Sequence, residues 1–201
     1  MRSLLLVALL ACGSAPPRVP LVESWPSQVP GDYKSVTWRW TRNASLRGQY
    51  QQVLDLYAVF KSPEWRAVHA AKTAEIRQLV GPQRDEAFAA ARAAAASDPY
   101  EVELLVTTWD RKENDLDRGK RSVWRVVLVD EQGHEIEPLE IVRDKRPTET
   151  LRAEYPAFGD FAQAYIARYP RTQALLGPSV HALRLRMSSP RGGVELAWES
   201  P

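Results

Sequence analysis

Residues 181 to 187 read HALRLRM, and the alternation is strict: Leu183, Leu185 and Met187 fall on one face, Arg184 and Arg186 on the other. Only extended backbone sends successive side chains to opposite sides, so this period of two specifies a half-buried strand. After Ser188-Ser-Pro-Arg-Gly-Gly193 the pattern resumes, with Val194, Leu196 and Trp198 inward. The chain is therefore expected to close on a β-hairpin.

The same test identifies strands upstream. Val36 to Arg42 alternates, with Val36, Trp38 and Trp40 opposite Thr37, Arg39 and Thr41. Tyr50 to Phe60 places Leu54, Leu56, Ala58 and Phe60 on one face, and Tyr100 to Trp109 does so with Val102, Leu104 and Val106. Val123 to Asp130 is apolar on both faces, which predicts a central strand covered on both sides, on one of them by helices. Asp130-Glu-Gln-Gly133 predicts a tight turn into His134 to Val142, where Pro138 marks an edge strand. Phe158 to Tyr169 fits either a helix, through Phe158, Phe161, Tyr165 and Tyr169, or a strand; a strand is assigned to Tyr165–Tyr169.

Helices are expected in one place. Ser62-Pro63-Glu64 combines a capping hydroxyl, a proline where its missing N–H costs nothing, and an acid near the positive end of the dipole. That helix should run to about Val80, and Gly81-Pro82 should separate it from a second, alanine-rich helix over Gln83 to Ser97. Seven or eight strands with one helical insertion at about 62–97 predict a mainly β fold, an antiparallel β-sandwich with an inserted helical hairpin. An immunoglobulin-like arrangement is the architectural analogy.

Cys12 is the only cysteine, so no internal disulfide assists folding, and residues 33–201 must form a single β-rich domain on their own core. The 44% hydrophobic content is ordinary for that task.

At the N-terminus Arg2 precedes the unbroken apolar run Leu4–Leu10, and Leu9-Leu10-Ala11-Cys12 puts a small residue before the cysteine. A positive end, an apolar run and a small residue form an export signal, and the run is shorter than the roughly 20 residues that span a bilayer. These residues resemble a bacterial lipoprotein signal peptide, with Leu9, Leu10 and Ala11 as lipobox and Cys12 as the obligatory cysteine. The resemblance implies removal of residues 1–11, acylation of Cys12 and attachment to a membrane through its fatty chains. Gly13, where inner-membrane retention often goes with aspartate, points to the periplasmic face of the outer membrane. Pro16, Pro17, Pro20, Pro26 and Pro30 then make residues 12–32 a proline-rich tether.

The formal charge of +2 falls to +1 when Arg2 leaves with the signal, which argues against nucleic acid as a partner. His69, His134 and His181 have no partners at metal-ligand spacing, so neither a metal nor another cofactor is expected. The acidic stretch Asp110–Gly119 fails as a calcium loop: counted from Glu113, Arg118 stands where glycine is needed and Trp124 where a bidentate glutamate belongs. It is expected to be a solvated hairpin loop. No G-x-S-x-G occurs, Gly192-Gly193 suits a turn better than a phosphate loop, and Asp144, Glu149 and Glu154 dilute the basic group Arg143, Lys145 and Arg146. Seven tryptophans are expected mainly in the core, with an aromatic carbohydrate or lipid platform as the alternative.

The resulting expectation is a lipid-anchored envelope protein, a non-catalytic binding or assembly module in the periplasm with an envelope protein as partner and no catalytic residue assigned. A periplasmic hydrolase acting on glycan or peptide, or a lipid or small-ligand carrier, are the alternatives. Converging carboxylates in a cleft, or His134 or His181 beside a serine or an acid, would favour the hydrolase.

Overall fold

The computed structural model describes residues 15–49 and 51–201. Cys12 and the lipobox residues Leu9, Leu10 and Ala11 lie outside the described residues, as does Tyr50, the expected start of the second strand.

Strand β3 (Tyr100–Thr108) shows how the architecture arises. Val102, Leu104 and Val106 on one face are wholly buried between two sheets, whereas Glu101 and Glu103 on the other meet helices. A five-stranded antiparallel sheet runs β1 (Thr41–Arg47), β2 (Gln52–Phe60), β3, β7 (Gln163–Tyr169), β6 (Glu140–Arg143). A four-stranded antiparallel sheet runs β5 (Glu135–Ile136), β4 (Arg125–Val129), β8 (Ala182–Ser189), β9 (Gly192–Glu199). Their inner faces form one sandwich-like core from Leu54, Leu56, Phe60, Leu104, Leu128, Leu185 and Trp198. Along one side β1 lies against β9, where Arg42 Nε donates to the Ala197 carbonyl at 2.6 Å.

Helices α2 (Pro63–Ile76) and α3 (Pro82–Ser97) lie between β2 and β3 in sequence and pack on each other. The Ser62 hydroxyl accepts the Trp65 N–H at 3.1 Å, as the capping signal requires. α2 stops at Ile76 rather than Val80: Gln78 adopts a left-handed φ of 54°, and Ile76 and Val80 are exposed, so no core contact sustains the last turn. The closing hairpin forms with Leu183, Leu185 and Met187 inward, and Gln163–Tyr169 is extended.

Several expectations are corrected. Residues 36–40 are helical, in α1 (Tyr33–Trp40), not a strand. Val36 and Trp40 are four apart and so share a face in either conformation; Asp32 decides it by accepting the Ser35 N–H at 3.0 Å. Thr41 and Arg42, expected to end that strand, instead begin β1, which continues through residues 43–47, expected as part of a connection over 43–48.

His134 to Val142 is not one strand. Pro138 stands where the chain leaves β5 in the second sheet and enters β6 in the first, and both are edge strands. Helices do not cover the outer face of β4: Val127 lies opposite Arg186, among the ion pairs of Arg125 and Arg186 with Glu135 and of Arg186 with Glu195. The aliphatic stems of such side chains shield apolar neighbours.

Residues 110–121 are not a hairpin loop either. They cross from β3 in one sheet to β4 in the other, through short 3-10 turns at Arg111–Glu113 and Leu116–Arg121, and Leu116 is buried. Part of the segment expected as a tether is packed on the domain. Val19 and Leu21 are buried, Val19 N–H donates to Glu199 at 2.8 Å, and Arg42 Nη2 donates to the Pro17 carbonyl at 2.6 Å. Prolines prevent regular structure here, but they leave the apolar side chains between them free to fill the core edge.

Candidate functional site

Three chain segments meet where β3 ends and β7 begins. Thr108 Oγ1 donates to the Asp110 carbonyl at 2.8 Å and Trp109 N–H to Val53 at 3.2 Å, which holds Trp109 at the sheet's end with its side chain 67% exposed. Asp110 Oδ1 then caps the first 3-10 turn by accepting the Lys112 N–H at 2.9 Å. Just before β7, Phe161 is 73% exposed. Two large aromatic residues left exposed on one cavity are the informative departure from ordinary surface.

The floor between them is fixed by hydrogen bonds. Asn114 is buried; its Nδ2 donates to the Val106 carbonyl at 2.8 Å, while the Tyr165 hydroxyl lies 2.8 Å from its carbonyl and 2.9 Å from its Oδ1. Burial raises the Tyr165 pKa, partly opposed by the Arg143 guanidinium 5.7 Å above its ring, so the hydroxyl stays a donor. Asp115 accepts from the Ser122 hydroxyl at 2.8 Å and from Val123 N–H at 3.3 Å.

The cavity so formed has a volume of about 740 Å³. Gln52, Thr107 and Gln163 add polar groups to its wall, and Arg111 and Arg143 add charge. Arg111 makes no ion pair among the described residues, and Arg143 meets Asp117 only at 3.7 Å. Past Asn114 the depression continues along Lys112, Arg118 and Lys145. The site is thus a depression lined by two exposed aromatic residues and several cations, with Asp115, Asp117 and Asp160 among them.

A second cluster joins α2 and α4 (Thr148–Glu154) to the outer face of β3. Glu103, with no exposed side chain, lies 3.0 Å from Lys61 Nζ and accepts from the Tyr155 hydroxyl at 3.1 Å. Glu101 pairs with Arg66 at 3.2 Å and Arg168 at 2.9 Å; Arg146 pairs with Asp144 at 2.6 Å and Glu154 at 2.5 Å. Trp65 stacks between His69, 4.9 Å away, and Tyr155.

Burial drives the Glu103 pKa up, against the pull of Lys61. At Asp144 burial acts in the same direction, but hydrogen bonds from Arg146 and from Glu103 outweigh it and hold the pKa down. Glu103 Oε1 has no hydrogen-bond partner among the described residues, an unpaired buried atom that adds to the cost of charging this carboxyl. These carboxyls do converge, yet neither lines the adjoining cleft, and their partners tie helices to a sheet. Asp144 and Glu154, expected to dilute Arg146, are its ion-pair partners, whereas Arg143 belongs to the groove.

His134 does stand beside an acid: its Nδ1 is 2.9 Å from Asp130 Oδ2. Asp130 also accepts the His134 N–H at 2.8 Å, so the same carboxylate closes the turn into β5. Ser179 shares a small depression with this pair but hydrogen-bonds to neither; His181 Nδ1 lies 3.4 Å from Ser200 Oγ, and its main-chain N–H, not its ring, donates to Glu131 Oε2 at 3.0 Å. Among the described residues no group of three metal-ligating side chains converges and no helix is long and apolar enough to cross a membrane.

The sequence marked seven tryptophans without separating them. Trp40, Trp65, Trp124 and Trp198 are buried as expected, and Trp109 is the one that meets the groove. Its position directly after a strand and before Asp-Arg-Lys was the available signal.

No family model matches the chain, and no curated protein matches it. A solved structure similar to it is a novel protein of unknown function from Burkholderia pseudomallei K96243, 12% identical over 81% of this chain and 79% of that one, with a TM-score of 0.37.

Proposed function

We propose that this chain is a lipid-anchored binding or assembly module of the bacterial envelope, held by acyl chains on Cys12 and engaging its partner through the Trp109–Phe161 groove. The observation that carries the binding half is the exposure of both rings beside Arg111, a cation without an ion-pair partner among the described residues. The anchoring half rests on Leu9-Leu10-Ala11-Cys12 and Gly13, which favour the periplasmic face of the outer membrane. Packing of Val19 and Leu21 leaves four residues between Cys12 and Pro17, five Cα–Cα steps with a reach of at most about 18 Å, so the domain works close to the membrane. In architectural terms we read the fold as an immunoglobulin-like sandwich with α2 and α3 as an inserted hairpin, an analogy that carries no function.

Fractionation tests the anchoring: wild type should sediment with membranes and Cys12→Ala should be released to the soluble fraction. Retention of Cys12→Ala on membranes would overturn it. The Asp130–His134 contact favours a second reading, a periplasmic hydrolase using Ser179 or a water as nucleophile. His134→Ala should then abolish hydrolysis of an ester substrate; on the binding reading, the wild type shows no such hydrolysis.

A further inference from the structure

We infer that the Trp109–Phe161 groove binds an acidic oligosaccharide, a linear glycan bearing carboxylates; this rests on the reading of the chain as a binding module. Sugar rings present flat C–H faces that stack on aromatic rings, and Trp109 and Phe161 offer such faces to solvent at the groove's mouth. Sugar hydroxyls need donors and acceptors at close spacing, and the side chains of Gln52, Thr107 and Gln163 supply both in the same cavity. A volume of about 740 Å³ holds a short run of sugar residues.

The charge of the ligand follows from the cations. Arg111 has no ion-pair partner among the described residues, and Arg143, 5.7 Å over the Tyr165 ring, meets Asp117 through one oxygen at 3.7 Å. Their fork geometry suits carboxylates. The carboxylates nearby are engaged: Asp115 is buried and hydrogen-bonded to Ser122 and Val123, Asp160 pairs with Arg152, and Asp117 faces Arg143. The adjoining depression shares Arg111 and Arg143 and adds Lys112, Arg118 and Lys145 against Asp115 and Asp117, so cations outnumber carboxylates there, as a ligand with repeated negative charge requires. An acyl chain, by contrast, needs an enclosed apolar cavity, and a protein partner needs a broader apolar patch than two rings provide.

The test uses the full chain, solubilised in detergent, titrated with hexameric oligogalacturonate while tryptophan fluorescence is recorded. Neutral cellohexaose, an oligo-deoxythymidylate and an acidic peptide serve as parallel probes. Oligogalacturonate should quench the signal and bind at least about tenfold more tightly than each of the other three, since each charge-assisted contact is worth about a factor of ten. Arg111→Gln should weaken it by about that factor and the remote Lys72→Ala not at all, while Trp109→Ala, which removes the fluorescent reporter, should weaken it several-fold by titration calorimetry. Equal binding of cellohexaose, tighter binding of the oligonucleotide or peptide, equal loss in Lys72→Ala, or no binding of oligogalacturonate would overturn the inference. Cys12→Ala should bind the sugar as wild type does, so a failure of anchoring shows in fractionation alone and a failure of ligand class in the titration alone.

Discussion

The indole N–H of Trp198 donates to the carbonyl of Trp40 at 2.8 Å, and both side chains are wholly buried. This bond joins the last strand of one sheet to the point where α1 becomes the first strand of the other, next to the ring of Phe60 5.9 Å from each. Trp198→Phe keeps an aromatic ring and leaves that carbonyl without its indole donor, so urea unfolding should show a loss of about 1–3 kcal/mol. Trp198→Ala should cost more, about 3–5 kcal/mol, through the cavity it opens.

Glu103 supplies a pH dependence of definite sign. Burial raises its folded-state pKa above the unfolded value of about 4.3, so the protonated form is the one the fold prefers. Its contribution is fully present below pH ~4.3 and is lost as pH rises through the higher folded-state value. Wild-type stability should therefore decline relative to Glu103→Gln as pH rises from about 4 into that range, measured by unfolding across a pH series. Glu103→Leu should be destabilising by about 1–3 kcal/mol, because the buried Tyr155 hydroxyl loses its acceptor and Lys61 keeps only Glu101 at 3.7 Å.

Asn114 couples the groove to the core. Asn114→Ala removes the donor to the Val106 carbonyl and one of two acceptors of the Tyr165 hydroxyl, a cost of about 1–3 kcal/mol. Protease cleavage within 110–121 should accelerate in this variant while cleavage elsewhere does not.

The Val19–Leu21 segment is predicted to be part of the folded unit. Leu21→Ala should lower stability by about 2–5 kcal/mol, and hydrogen exchange at the Val19 amide, bonded to Glu199, should be slow in wild type. Fast exchange there would return the segment to the role of a free tether.

The elements that sequence made legible are those whose periodicity had one interpretation. HALRLRM and the Val102–Leu104–Val106 run fit only a strand, and the Ser62-Pro63 start fits only a helix. Residues 36–40 were misread because Val36 and Trp40 satisfy both periods; Asp32 with Ser35 three residues later was the overlooked sign of a cap. β1 is hard to read because its alternation rests on Ala44 and Leu46 alone, between the polar Asn43, Ser45 and Arg47, and it is pairing with β2 that makes it a strand. Pro138 was read correctly as incompatible with a central strand, but a change of sheet is a long-range event that local pattern does not encode. The groove was legible only in pieces: Trp109, the Asp110–Gly119 stretch and Arg143 were each noted, and it is antiparallel pairing of β3 with β7 and β6 that brings them together.

Mass spectrometry of the N-terminal peptide, on protein recovered from the membranes of its host, decides whether the proposed anchor exists. The chain should begin at Cys12 and carry two or three fatty acyl groups. A chain that retains residues 1–11, or an unmodified Cys12, would contradict it.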